Sequence, residues 1–371
     1  MKILVIYATA GAGHRRAAEA IYNYLIKDKN HEVKKIDALD YSNRFFKYIY
    51  SQGYLFVIKR LQFIWIMLFY APVNKISSFF ANAFRFLVNR INLFRLVSYI
   101  LKEKPDCIVS AHFLPNEVAA FIKRFFKVNF RVVSIVTDFT VHPFWVTSGV
   151  DEYIVASEKT KKEIIQLGVK EASVRVIGIP IDEKFLNDFD RKIIAQANSL
   201  DSEKFTVIVV TGAIGVGPIE QIARLLSENK IQTIVVCGKN KILLDKLNKA
   251  RLDYLKPLGF VDNMHELMSI ADVIVTKPGG LSVSESLAKK LFMIFISPIP
   301  GQETANAFLM QELGVGVSID QPQSIVEKII ELKNDPQKLE SIKEKFSAIS
   351  KKTVLEEIKD EICRSGGWFT D

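Results

Sequence analysis

The sequence predicts an α/β protein made of two doubly wound parallel-sheet domains, Rossmann-like, facing a cleft. Three observations predict this. Short β-branched runs alternate with helix-period segments in two successive series. Glycine-rich turns stand where strand gives way to helix, at residues 9–14, 211–217 and 277–280. A chain of 371 residues is long enough for two cores.

Each element follows from its run of residues. In the first series, β-rich runs place strands at 2–8, 32–37, 106–111, 131–137, 153–156 and 174–179. Helical periodicity falls near 14–27, 92–102, 114–127 and 158–167. In the second series, strands are expected at 206–211, 233–237, 255–258, 273–276, 292–296 and 315–318, with helices between them. Strands of this kind, separated by helices, make parallel sheets covered on both faces. The domains are expected at 1–185 and 200–350, joined by the charged stretch near 182–204, with a helical tail at 351–371. The charged helical segment from about 323 to 366 is expected to pack along the second domain, with a return to the first as the alternative.

Composition narrows the class. Hydrophobic content of 49% and charged content of 25% are those of a globular protein. Cys107, Cys237 and Cys363 are far apart and lack metal-ligand spacing, so free thiols in a reducing cytoplasm are expected. The first apolar run is too short for a signal peptide and reads as a strand. The longest apolar candidate, residues 61–73, is too short to span a bilayer.

Charge is unevenly distributed. Residues 41–102 hold nine Lys or Arg and no Asp or Glu, which equals the whole net charge of +9. The same stretch, a helical insertion after the second strand, holds 17 of the 40 aromatic residues. Such a surface suits anionic membrane lipid: apolar side chains enter the headgroup region while cations meet the lipid charge. Arg60 and Trp65 are the candidate contacts. Nucleic acid is a poorer partner, because a run such as Phe63-Ile64-Trp65-Ile66-Met67-Leu68-Phe69-Tyr70 is too apolar for a solvated groove. Core helices with solvated basic faces are the structural alternative.

The loops at strand ends carry the chemistry. Residues 271–276 end in Lys277-Pro278-Gly279-Gly280, and a helix follows from about 281 to 291. Gly279 and Gly280 let the backbone approach a ligand, and the helix start offers N–H groups to a diphosphate. Ser282 and Ser284 add hydroxyls, and Glu285 can accept from a ribose. Gln302, Glu303 and Asn306 follow the next strand and suit sugar hydroxyls. Gly13 and His14 open the first helix; a neutral imidazole there can take a proton or meet a phosphate. Gly212 lies in a matching turn of the second series. Phe260 and Val261 stand where backbone can read a base edge. Asp138 ends a strongly β run and is a general-base candidate. His142 and Trp145 follow it, and Trp145 is expected to be exposed and to touch lipid. Asp188-Phe189-Asp190 matches a metal–diphosphate pattern by chance, away from any strand-end loop.

These residues resemble those of the monogalactosyldiacylglycerol synthase and processive diacylglycerol glucosyltransferase family. That family is more distantly related to the peptidoglycan glycosyltransferase that makes lipid II. The marks are Gly11-Ala12-Gly13-His14, Val136-Thr137-Asp138 with His142 and Trp145, Gly178-Ile179-Pro180, Thr276-Lys277-Pro278-Gly279-Gly280, and Pro300-Gly301-Gln302-Glu303 with Asn306. They span nearly the whole chain. The resemblance implies a GT-B fold and inverting transfer of a hexose from UDP-glucose or UDP-galactose to diacylglycerol. It implies no metal or other cofactor, and a peripheral place on the cytoplasmic face of the membrane. By position, Gly280, Ser282 and Ser284 would hold the diphosphate, Glu285 the ribose, Phe260 and Val261 the uracil, and Gln302 and Glu303 the hexose. His14 and Asp138 would work at the acceptor hydroxyl. Ala12 departs from the family, where glycine is usual; its methyl fits only if that residue avoids positive φ. Another lipid acceptor, a nucleotide-sugar 2-epimerase and a non-catalytic membrane-associated protein are the alternatives.

Overall fold

The computed structural model describes residues 1–9, 11–53, 92–210 and 217–364. The chain divides into two units. The first comprises Met1–Asp182, Pro300–Gln302 and Thr353–Asp371; the second comprises Glu183–Ile299 and Glu303–Lys352.

In the first unit six strands form one sheet: β1 (Lys2–Tyr7), β2 (Glu32–Asp37), β3 (Cys107–Ser110), β4 (Arg131–Ile135), β5 (Glu152–Val155) and β6 (Val174–Val176). Their order is β2-β1-β3-β4-β5-β6, and every pair is parallel. Ile3, Leu4, Val5 and Ile6 are all fully buried. A continuous apolar run with no polar alternation is what a strand covered on both faces requires. The order reverses between β1 and β3, so the loops after those two strands flank a topological switch point. Ligands of such sheets bind there.

The second unit repeats the plan with β7 (Thr206–Val210), β8 (Gln232–Val236), β9 (Leu255–Leu258), β10 (Val273–Thr276), β11 (Phe292–Phe295) and β12 (Gly316–Ser318). The order is β12-β11-β10-β7-β8-β9, again parallel throughout. Its switch point lies between β7 and β10. The loop after β10 is Lys277-Pro278-Gly279-Gly280, which the sequence singles out.

All twelve expected strands are present, with ends shifted by at most three residues. The expected domain limits need correction at both ends of the second unit. It begins at Glu183, and the supposed linker carries a helix of its own, Arg191–Ala197, capped by Asp190. The last helix, Val354–Cys363, belongs to the first unit instead of running along the second. The cause is visible in its contacts. Leu355, Ile358 and Ile362 are buried, and Arg131 donates to the carbonyls of Glu361 and Ile362. Lys359 Nζ lies 2.7 Å from Asp28. Glu152 joins this edge, paired with Arg131 and with Arg175 Nε at 3.0 Å. Burial, and then the neighbouring Glu361 carboxylate, raise the Glu152 pKa well above the usual carboxylate range.

Most of the basic aromatic insertion lies outside the described residues, as do Arg60, Trp65 and Gly212. Its two roots are seen. Helix Arg44–Tyr48 follows β2, and helix Phe94–Glu103 leads into β3. Phe46 and Tyr50 pack on the core that contains Leu4, Leu39 and Leu96. Phe45, Tyr48 and Ile49 face outward, 74%, 66% and 50% exposed, and Phe94 is 59% exposed. No described helix is long and apolar enough to cross a membrane.

Candidate active site

The first unit carries its candidate residues at the β1/β3 switch point. Gly11 caps helix Ala12–Leu25 at φ 137°, a conformation that glycine adopts without steric cost. Ala12 and Gly13 lie in the first helical turn, and neither has positive φ. The methyl at the family's glycine position is therefore tolerated. Thr9 Oγ1 donates to Asp37 Oδ2 at 2.5 Å, which ties the loop after β1 to the end of β2.

His14 follows in the same turn. Its Nδ1 lies 3.0 Å from the Ala111 carbonyl oxygen and 2.8 Å from Thr137 Oγ1. A carbonyl oxygen cannot donate, so Nδ1 carries the proton and Nε2 carries the lone pair. Burial pulls the His14 pKa from 6.5 down to about 4, opposed by the Ala111 carbonyl. The ring is thus neutral at physiological pH, with its orientation fixed at Nδ1.

Asp138 stands on the loop after β4. Its Oδ2 accepts from Gln302 Nε2 at 3.1 Å; Gln302 groups with the first unit. His142 is buried, and its Nδ1 accepts from Phe144 N at 3.2 Å. Trp145 corrects an expectation: it is 1% exposed and cannot touch lipid. Its ring packs in a core with Tyr153 and Val155, and it lies 6.2 Å from both His14 and Phe113. A Phe144-Trp145 pair at a loop looks exposed in sequence, but here Trp145 packs inward near the His14 ring.

The second unit carries its own candidate residues after β10. Gly279 caps helix Gly280–Ala288 at φ −71°, and among the described residues no side chain caps the helix start. The first amides therefore keep their N–H groups for a ligand. Ser284 and Ser282 separate in role. Ser284 is buried and its hydroxyl donates to the Gly280 carbonyl at 2.9 Å, whereas Ser282 is half-buried in the first turn. Glu285 is 5% exposed. Asn306 is a second correction. It is fully buried, and Nδ2 donates to the Pro278 carbonyl at 2.9 Å. It shapes the Lys277–Gly280 loop and does not reach for sugar hydroxyls. Glu303 accepts from Ile299 N at 2.7 Å, and burial raises its pKa, with Lys277 opposing. Phe260 is 69% exposed after β9, and Val261 is half-buried beside it. A bare aromatic ring on a strand-end loop suits stacking on a flat base.

Sequence reasoning missed Ala111 and His112 and undervalued Thr137. The signal was present. Ser110-Ala111-His112-Phe113 leaves a strand and opens a helix, as Gly13-His14 does.

The comparisons bear on the family and the fold. Residues 14–181 match the family described as monogalactosyldiacylglycerol (MGDG) synthase, and residues 206–360 match the glycosyltransferase family 28 C-terminal domain. A processive diacylglycerol beta-glucosyltransferase of Staphylococcus saprophyticus is 30% identical over 355 residues, covering 94% of this chain and 88% of the relative. One from Staphylococcus aureus is 31% identical over 347 residues, covering 91% and 86%. Among solved structures, a UDP co-structure of S. aureus MnaA has a TM-score of 0.67 at 14% identity, covering 97% of this chain and 95% of that one. Acinetobacter baumannii MurG has a TM-score of 0.59 at 15% identity, covering 97% and 99%. At such identities the structures bear on the fold, which is GT-B.

Proposed function

The chain belongs to the monogalactosyldiacylglycerol synthase and processive diacylglycerol glucosyltransferase family, and from that premise we propose that it is an inverting UDP-hexose:diacylglycerol hexosyltransferase. The observation that carries the reading is His14. A neutral imidazole, its Nδ1 proton held by Ala111 and Thr137, presents Nε2 as a base. An acceptor hydroxyl has a pKa far above 7 and needs such a base within reach.

The second unit holds the donor in this reading. The uncapped start of helix Gly280–Ala288 and the Ser282 hydroxyl meet the charge that develops on the leaving UDP. Phe260 and Val261 take the uracil, Glu285 the ribose, and Gln302 and Glu303 the hexose. The leaving group is stabilised by protein groups alone, and no metal ion is required. As the oxygen of diacylglycerol attacks the anomeric carbon, the bond to UDP breaks and His14 Nε2 takes the acceptor's proton. Asp138 orients Gln302 through its hydrogen bond.

The acceptor lies in a membrane, and the roots of the insertion support a peripheral approach on the cytoplasmic face. Phe45, Tyr48, Ile49 and Phe94 are exposed beside Arg44 and Arg95. Each cation near an anionic surface adds about 1 kcal/mol.

The 2-epimerase alternative retains the fold alone. Neisseria meningitidis UDP-GlcNAc 2-epimerase bound to UDP-GlcNAc has a TM-score of 0.61 at 13% identity. The basic aromatic insertion has no use in an epimerase.

The test is transfer from UDP-glucose or UDP-galactose, supplied separately, to diacylglycerol in neutral or anionic vesicles, followed by mass spectrometry of the lipids. A hexosyl-diacylglycerol from one donor, made faster on anionic vesicles, is expected. UDP release without glycolipid would refute the acceptor, and equal rates on both vesicle types would refute the anionic surface.

A further inference from the structure

His112 is one residue from the carbonyl that fixes the base, and nothing above gives it a role. It is 1% exposed and lies at the β1/β3 switch point. Its ring meets His14 at right angles, with centroids 4.6 Å apart and planes at 85°. The ring is further enclosed by Phe113 at 4.1 Å, Tyr50 at 6.1 Å and Trp145 at 6.3 Å.

Two hydrogen bonds lock the turn that His112 occupies. His112 Nδ1 accepts from Leu114 N at 3.0 Å, capping helix Phe113–Phe126. Ser110 Oγ donates to the His112 carbonyl at 2.6 Å. An accepting Nδ1 has no proton, so the neutral His112 ring carries its hydrogen on Nε2. The adjacent histidines thus hold opposite tautomers. The locked turn also aims the Ala111 carbonyl at His14 Nδ1. An imidazole in water prefers the other tautomer, with the proton on Nε2. Without the Ala111 carbonyl in place, His14 would lose the lone pair that faces the acceptor.

We propose that His112 is a positioning residue: by capping helix Phe113–Phe126 it holds the Ala111 carbonyl that sets the His14 tautomer. The proposal rests on His14 being the base. Among the described residues, the titratable group whose ring faces the pair is Tyr50 on the insertion root, 6.1 Å from His112.

The test separates the two claims by reading the tautomer directly. Nitrogen-15 NMR of the imidazoles distinguishes a protonated Nδ1 from a protonated Nε2 without any activity. In the wild-type protein His14 is expected to show a protonated Nδ1. His112→Asn keeps a capping oxygen, since asparagine is a favoured N-cap; it should retain that signature and most of the turnover. His112→Phe keeps the ring volume and loses the cap. It should shift His14 towards a protonated Nε2 and lower kcat by about 10²-fold, the cost of a small misplacement, with KM for the UDP-hexose unchanged. The proposal is overturned if the His14 signature survives in both His112→Phe and His112→Ala, or if His112→Asn loses it. A protein that shows the tautomer shift but transfers no hexose would refute the proposed reaction and leave the positioning role intact.

Discussion

Exchanging His14 for asparagine is expected to lower hexose transfer by about 10²–10⁴-fold, the usual contribution of a general base, and to leave UDP affinity within about threefold. Asparagine preserves a donor near the position of Nδ1, so the bond to the Ala111 carbonyl and the helix start should survive. What disappears is the lone pair at Nε2. The pH profile gives a second reading of the same residue. Burial holds the His14 pKa at about 4, so kcat/KM should stay flat through neutrality and fall only near that value, well below the ordinary 6.5. The sign for stability follows. A folded-state pKa below the unfolded one means that the unfolded chain binds the extra proton first. Stability is intact above pH 6.5 and declines as pH falls towards about 4. Asp138→Asn serves as the comparison. If Asp138 only orients Gln302, the loss should be under about tenfold and should appear largely in KM for the donor. A His14→Asn variant that keeps its turnover, beside an Asp138→Asn variant that does not, would exchange their roles.

The second large effect is expected at Gly279. At φ −71° and ψ 143° its backbone is open to any L-residue. Among the described residues, a Cβ built there meets nothing within 4 Å. Folding therefore does not demand glycine at this position. The open space lies before the free amides of helix Gly280–Ala288, where a diphosphate would sit. Gly279→Val should fold with an unchanged melting temperature, weaken UDP binding by about 10²-fold and lower kcat/KM in proportion, as loss of preorganised donors does. Calorimetric titration with UDP checks the binding, and thermal unfolding checks the fold. Unchanged UDP affinity would move the donor site away from this helix.

Much of this was legible in the chain, for definite physical reasons. A strand covered on both faces must be apolar at every position, and Ile3-Leu4-Val5-Ile6 or Val273-Ile274-Val275 declare that directly. The turn at Gly279-Gly280 also stands where the sequence puts it, between a β-branched run and a helix. Residues whose roles depend on distant partners were less legible. Trp145 sits in a loop of the sequence, yet its burial is decided by β5 and by the aromatic ring of Phe113. Asn306 looks like a polar ligand for sugar until the Pro278 carbonyl, 28 residues earlier, is found beside it. His112 went unnoticed because its partners, His14 and Leu114, give it meaning only once β1 and β3 are neighbours. The last helix is ambiguous in sequence for the same reason: its apolar stripe predicts burial without naming the surface, which lies on the first unit.

The central claim is a single in-line displacement assisted by the base in the first unit. The anomeric configuration of the lipid product tests it most directly, read by proton NMR of the purified glycolipid. UDP-glucose and UDP-galactose carry the sugar as the α anomer, so one displacement predicts a β-linked hexosyl-diacylglycerol. An α-linked product would require two displacements or departure of UDP before attack, and would contradict the account.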